Sequence, residues 1–138
     1  MAEVAEQPLP EITEENRPFW EATQRRKLVL QRCAGCREMW SPPSSHCPRC
    51  LSSEWFWEEV SGRGRVFTFT VVHQRYHPAF ADAIPYNVAV IELKEGPRLV
   101  STVECPKEEL KIGMEVEVAF REGAKGFLLP VFVPMRRR

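Results

Sequence analysis

Four of the five cysteines fall into two C-x-x-C pairs, Cys33-Ala-Gly-Cys36 and Cys47-Pro-Arg-Cys50, separated by residues 37–46. Each pair bends the backbone into a knuckle that aims two sulfurs at one point, and a short loop brings the knuckles together. Four soft thiolates in a closed tetrahedron suit zinc, and a full set of protein ligands leaves no open position for water or substrate, so the metal is structural. Two disulfides would be the other use of this pattern, but those belong to oxidising compartments. Rubredoxin-type iron takes similar knuckles at a longer separation and ranks behind zinc. His46, directly before Cys47, could act only by replacing a cysteine. Cys105 stands alone before Pro106 and reads as a small strand residue.

Composition narrows the field further. The chain has 138 residues, 43% of them hydrophobic, with 19 Lys/Arg against 19 Asp/Glu. That is a globular composition with room for one ordinary domain or two small ones. No apolar run approaches the ~20 residues that span a bilayer. Met1 to Pro10 has neither the basic start nor the apolar stretch of a secretory leader, so the expectation is a cytoplasmic protein. A nucleic-acid binder carries a basic excess that displaces counterions from phosphate, and none is visible here. A nucleic-acid-binding module is therefore the alternative reading, not the leading one. Four thiolates on one Zn²⁺ carry a formal −2, and Arg32, Arg37 and Arg49 lie in or beside the knuckles to offset it.

The elements that hold these groups follow from pattern and punctuation. Residues 1–15 read as a flexible lead. A short helix should follow, capped by Asn16, with Pro18 early in it, Glu21 towards its positive end and Arg25, Arg26 and Lys27 towards its negative end. Phe19 and Trp20 give it an apolar face large for its length, so it docks either on its own domain or on a partner. Lys27 to Arg32 alternates as a strand into the first knuckle. Trp40-Ser-Pro-Pro-Ser-Ser is a rigid loop to the second. Arg37 and Leu51 follow the two pairs where the knuckle backbone turns left-handed, at ~1–2 kcal/mol for a non-glycine residue. Trp55-Phe-Trp57 is expected as a hinge strand whose alternate members face the ribbon and the next domain. Residues 16–57 thus form the leading helix and ribbon.

Residues 58–138 change to strands alone. Ser61-Gly-Arg-Gly64 opens a long strand over Arg65 to His73. After a loop from Gln74 to Pro85 come strands at Tyr86 to Leu93 and Arg98 to Val103, with one helical turn at Pro106 to Leu110. A strand with Val116, Val118 and Phe120 on one face follows. Glu122 to Gly126 is a hairpin turn, and Pro130 marks the last strand as an edge or a bulge. The fold class is mainly β: a short N-terminal helix, a rubredoxin-like zinc ribbon and a C-terminal five-stranded OB-type barrel, with an SH3-like barrel as runner-up. Arg136 to Arg138 form a solvated tail.

This order of parts resembles the acyl-CoA-associated zinc-ribbon/OB-fold family, also called domain of unknown function 35. The likeness rests on Pro18-Phe-Trp20, Lys27-Leu-Val-Leu-Gln-Arg-Cys33 and Cys47-Pro-Arg-Cys50. In the barrel it continues through Ser61-Gly-Arg-Gly64, Phe67-Thr-Phe-Thr-Val-Val72, Pro85-Tyr86, Val90-Ile-Glu-Leu93 and Gly96-Pro-Arg-Leu99. Arg37 and Leu51 depart from it, where the family has smaller residues or glycine. The resemblance implies a non-catalytic scaffold subunit that assembles as a hetero-oligomer with a thiolase-fold enzyme, in steroid side-chain or fatty-acyl catabolism. It implies structural zinc on Cys33, Cys36, Cys47 and Cys50, and partner docking through Phe19 and Trp20. Acyl-CoA would lie at or near the interface, with Arg63, Arg65, Arg75, Tyr76 and His77 as candidate CoA contacts. Arg75 would supply charge and Tyr76 a stacking face. His73, His77 and Asp82 are the acid–base candidates of an independent enzyme, but they share one loop and no nucleophile accompanies them. The closed four-cysteine site equally gives an independent metalloenzyme no open position.

Overall fold

A computed structural model describes residues 10–72 and 86–135. The described residues fold as one α-helix and two antiparallel sheets. Helix α1 spans Arg17–Gln24. Strands β1 (Val29–Cys33), β2 (Met39–Trp40) and β3 (Trp55–Glu59) form a ribbon sheet in the order β2-β1-β3. Strands β4 (Arg63–Val72), β5 (Tyr86–Leu93), β6 (Arg98–Ser101), β7 (Glu115–Glu122) and β8 (Leu128–Pro134) form a second, curled sheet in the order β6-β5-β4-β7-β8. This is the expected OB-type arrangement. The helix between strands three and four is reduced to one 3₁₀ turn at Lys107–Glu109.

Asn16 sits before α1, yet its side chain does not cap it. Its backbone is already helical, with φ −102° and ψ −1°. The amide instead turns back on the preceding turn, accepting from the Thr13 N–H at 2.7 Å and donating to the Glu11 carbonyl at 3.0 Å. The expected charge pairing with the helix dipole is also absent. Glu21 lies beyond the first turn, and the three basic residues lie past Gln24. The helix ends in a Schellman arrangement, Lys27 N–H to the Ala22 carbonyl at 2.9 Å and Arg26 N–H to the Thr23 carbonyl at 3.0 Å. Arg26 takes the left-handed position at φ 60°, where glycine is usual.

Trp55-Phe-Trp57 is not a hinge. It pairs along its whole length with β1, from Cys33 opposite Trp55 to Val29 opposite Glu59. Trp55 and Trp57 share one face, edge to face at 5.8 Å, while Phe56 points outward and is exposed. The hydrogen-bond ladder of the ribbon accounts for the aromatic run.

The ribbon and the barrel share one core. Leu28, Leu30 and Met39 from the ribbon join Val66, Ile91, Val116 and Phe132 from the barrel in a single buried cluster. The Val60 N–H also bonds the Leu28 carbonyl at 2.9 Å, so the ladder carries on into the connection. A second, smaller cluster of Cys33, Trp40 and Cys47 surrounds the thiols.

The barrel closes along a short stretch only. β6 and β8 are the two ends of the sheet, and they meet through a parallel bridge between Val103 and Phe132. The Phe132 N–H bonds the Thr102 carbonyl at 2.9 Å, and the Glu104 N–H bonds the Phe132 carbonyl at 2.8 Å. Curling requires close backbone approach at the start of β4. Gly62 has φ +77°, and a Cβ there would run into the Val118 side chain. Gly62→Ala therefore combines a left-handed penalty with overpacking, and should cost about 2–4 kcal/mol in a urea or thermal melt.

Candidate metal centre and the groove beside it

The two knuckles are near copies of each other. Cys33 accepts at Sγ from the Cys36 N–H at 3.4 Å, and its carbonyl takes the Arg37 N–H at 3.2 Å. Cys47 accepts at Sγ from the Arg49 N–H at 3.4 Å and the Cys50 N–H at 3.5 Å, and its carbonyl takes the Leu51 N–H at 2.9 Å. Arg37 and Leu51 adopt the left-handed backbone expected of them, φ 70° and 65°. The strain falls on both knuckles because that turn is what aims the N–H groups at sulfur.

All four Sγ atoms lie within 4.8 Å of one another, with Cys33–Cys50 and Cys36–Cys47 each at 3.5 Å. A tetrahedron with Zn–S of about 2.3 Å places its sulfurs ~3.8 Å apart, so the donor set fits zinc. The thiols also perturb one another. Hydrogen bonding from the Cys36 N–H draws the Cys33 thiol down to about 6. Cys36 also feels a backbone N–H, from Glu38, but burial and the thiols of Cys47, Cys50 and Cys33 outweigh it and push it up to about 12. Thiols this close cannot all ionise unless a cation neutralises them, and a divalent metal supplies that charge. The ion would be held by Cys33, Cys36, Cys47 and Cys50 and contribute folding energy, with no open position for catalysis.

The flanking arginines are partly committed elsewhere. Arg32 donates to Glu58 at 2.8 Å and to the Arg37 carbonyl at 2.7 Å, and Arg49 pairs with Glu38 at 3.6 Å. The buried Trp40 packs in the thiol cluster, and its indole N–H has no hydrogen-bond partner among the described residues. His46 is exposed and hydrogen-bonds Ser45, away from the ligand set.

Of the candidate CoA contacts, Arg75, Tyr76 and His77 lie outside the described residues, as do His73 and Asp82. Arg63 and Arg65 are exposed on β4, standing opposite Glu117 and Glu115 of β7. Arg65 is further engaged by Glu92 at 2.7 Å. Arg98 reaches the same carboxylate at 3.3 Å and stacks over Phe67 at 3.8 Å. Hydrogen bonding from Arg65, then the charges of both arginines, holds Glu92 below its ordinary 4.5. This β4–β5–β6 surface carries an ion network around Glu92.

Phe19 and Trp20 dock on their own domain. Phe19 packs against the main core, and Trp20 lies 5.7 Å from the Phe127 ring. Both nonetheless line a groove of about 750 Å³ that the motifs did not announce. It follows the seam between β6 and β8, with α1 on one side and the Pro42–Pro43 loop on another. The sequence signal that could have found it is the pairing of an aromatic helix with a Pro-Pro loop, two rigid apolar walls in separate segments.

Known proteins sort this geometry. Residues 20–55 match the family model described as "ChsH2, rubredoxin-like zinc ribbon domain", and residues 57–121 match "ChsH2, C-terminal OB-fold domain". A DUF35 domain-containing scaffold protein of Methanocaldococcus jannaschii is 39% identical over 100 residues, 71% of this chain and 70% of that one. The chain belongs to the DUF35 family. Another relative is a probable enoyl-CoA hydratase alpha subunit of Thermomonospora curvata, 41% identical over 128 residues. The match takes in 92% of this DUF35 chain and 40% of that longer protein. The solved structure of an Ltp2-ChsH2(DUF35) aldolase superposes with a TM-score of 0.82 at 40% identity, covering 91% of this chain and 98% of that one. Among the described residues no helix is long and apolar enough to cross a membrane.

Two outcomes test the metal centre and the ion network. Cys47→Ser should abolish stoichiometric zinc by elemental analysis and lower the melting temperature of the whole chain, because ribbon and barrel share a core. Cys105→Ser should leave zinc content unchanged. Glu92 is favoured as a carboxylate in the fold, so its contribution is present above 4.5 and lost as pH falls through its lowered native value. Glu92→Gln should therefore melt earlier than the parent at neutral pH, and the gap should close below the ordinary carboxylate range.

Proposed function

We propose that the chain is a non-catalytic accessory subunit of a thiolase-fold enzyme acting on acyl-CoA, in fatty-acyl or steroid side-chain breakdown. The observation that carries this reading is the 40% identity and TM-score of 0.82, over nearly the whole chain, to the protein in the Ltp2-ChsH2(DUF35) aldolase structure. A relative from Mycobacterium tuberculosis, a 3-oxo-4,17-pregnadiene-20-carboxyl-CoA hydratase alpha subunit, is 29% identical over 103 residues and gives the steroid thioester its place in the proposal. The closed thiol site supports a structural role for the metal, and the partner would supply nucleophile and base. The chain would dock by the face that carries Phe19 and Trp20, with Val100 on the rim, 73% exposed on β6. Arg63, Arg65, Arg75, Tyr76 and His77 would lie towards the CoA part of the thioester.

The test is a tagged pull-down from the native lysate, with bound proteins identified by mass. A stoichiometric thiolase-fold protein is expected; recovery of the chain alone, or with RNA, overturns the scaffold reading and favours the nucleic-acid module. Phe19→Gln combined with Trp20→Gln, and separately Val100→Glu, should weaken assembly about tenfold or more, ~1.4 kcal/mol. Zinc should stay stoichiometric in both. Full assembly in both variants would rule out docking through this face.

A further inference from the structure

The two cysteines of each knuckle differ in how far solvent reaches them. Cys33 and Cys47 are fully buried, whereas Cys36 is half-buried and Cys50 is exposed. Each knuckle therefore carries an inner thiol and an outer one. Two short sulfur contacts run between the knuckles: Cys50 touches Cys33 and Cys36 touches Cys47, both at 3.5 Å. Within a knuckle the second cysteine turns its backbone N–H to the first sulfur, at 3.4 Å for Cys36 and 3.5 Å for Cys50. Both sulfur contacts thus join the outer thiol of one knuckle to the inner thiol of the other.

Cys36 also forms part of the wall of a cleft of about 310 Å³, between the first knuckle and the β5–β6 turn at Glu95, Gly96 and Pro97. Arg32, Arg37 and Arg49 line the same cleft. Arg32 is held by Glu58 and Arg49 by Glu38, whereas the Arg37 guanidinium has no partner among the described residues. Arg37 stands at φ 70°, where glycine would sit without strain, so the turn itself does not call for an arginine. A guanidinium beside a thiolate steadies the negative charge that develops on a departing hydroxide. The cleft is polar and open to a molecule little larger than water.

We propose that the four-cysteine site is a modification site for hydrogen peroxide, which oxidises the outer thiols Cys50 and Cys36, each then resolved by the inner thiol it touches. The Cys50 thiolate attacks one peroxide oxygen. The S–O bond forms, the O–O bond breaks, and the departing hydroxide takes a proton to become water, leaving a sulfenic acid. The Cys33 thiolate attacks the Cys50 sulfur, the S–S bond forms, and the S–O bond breaks to release a second hydroxide, also protonated to water. Cys36 and Cys47 react in the same way. Each cysteine pair gives up two electrons and each peroxide accepts two. A disulfide offers no thiolate, so the oxidised ribbon keeps no ligands for a divalent ion and the zinc leaves. The two cross-links are nested, 36–47 inside 33–50, and they staple the knuckles together in place of the metal. This proposal stands or falls independently of the accessory role.

The experiment treats the zinc-loaded full chain with hydrogen peroxide, follows zinc release with a chromophoric chelator, and maps disulfides by mass after trypsin. Trypsin leaves Cys33 and Cys36 together on residues 33–37, Cys47 on 38–49 and Cys50 on 50–63. The expected result is about two peroxides consumed per zinc released, with 33–37 joined to both of the other peptides. Dithiothreitol with added zinc should restore the original zinc content. Cys50→His keeps four zinc ligands but removes the exposed thiol, so it should load zinc and release it about tenfold more slowly. Arg37→Gly should slow release severalfold at unchanged zinc content, and Cys105→Ser should behave as the parent. Retention of zinc under peroxide overturns the proposal. So does a disulfide closed within 33–37 while 38–49 is joined to 50–63, sulfinic acids in place of disulfides, or release at the parent rate in both Cys50→His and Arg37→Gly. The disulfide map is read on the parent chain, so it decides the matter even where Cys50→His fails to load zinc.

Discussion

Mutual repulsion among four thiols is the constraint on which the ribbon depends. Their sulfurs are held so close that they cannot ionise together, and a divalent cation resolves the conflict. Metal binding of this kind is worth about 10–16 kcal/mol in small zinc domains. The ribbon needs that help, because its private core is little more than Cys33, Trp40 and Cys47. The same energy tolerates two non-glycine residues, Arg37 and Leu51, in left-handed turns.

The ribbon is not an independent bead on a string. Leu28, Leu30 and Met39 are buried with the barrel residues, so β1 has one end in the metal site and its other end in the common core. Strain or loss at the thiols is transmitted to the barrel through that strand. Gln31, in the middle of β1, also holds the loop between the knuckles. One five-residue strand thereby couples the metal, the core and one wall of the groove.

Incomplete closure leaves the barrel a large concavity along the seam. The sheet curls until its edges touch at Val103 and Phe132, and beyond that point β6 and β8 diverge beside α1. A fully laddered barrel would have filled this space with its own side chains. Here a short helix and a proline loop flank the seam without filling it. The aromatic pair Phe19 and Trp20 serves both sides, packing on the chain and presenting edges to the opening.

Much of this was legible in the order of residues. The paired C-x-x-C spacing specifies a four-sulfur metal site by local geometry alone, and alternation with glycine and proline punctuation specifies five barrel strands. Local signals failed where another hydrogen bond competed. Asn16 looked like a cap, but its amide is taken by Thr13 and Glu11. Trp55-Phe-Trp57 looked like a hinge, but the β1 ladder claimed it. The ion pairing of Arg65 with Glu92 joins residues on adjacent strands, and no spacing in the chain announces it. The sequence by itself determined the metal ligands and the class of fold, because both depend on contacts a few residues apart or on strand period. Only the tertiary structure decided the groove, because its walls are joined through residues as far apart as Gln24 and Leu128, which meet only when the sheet curls.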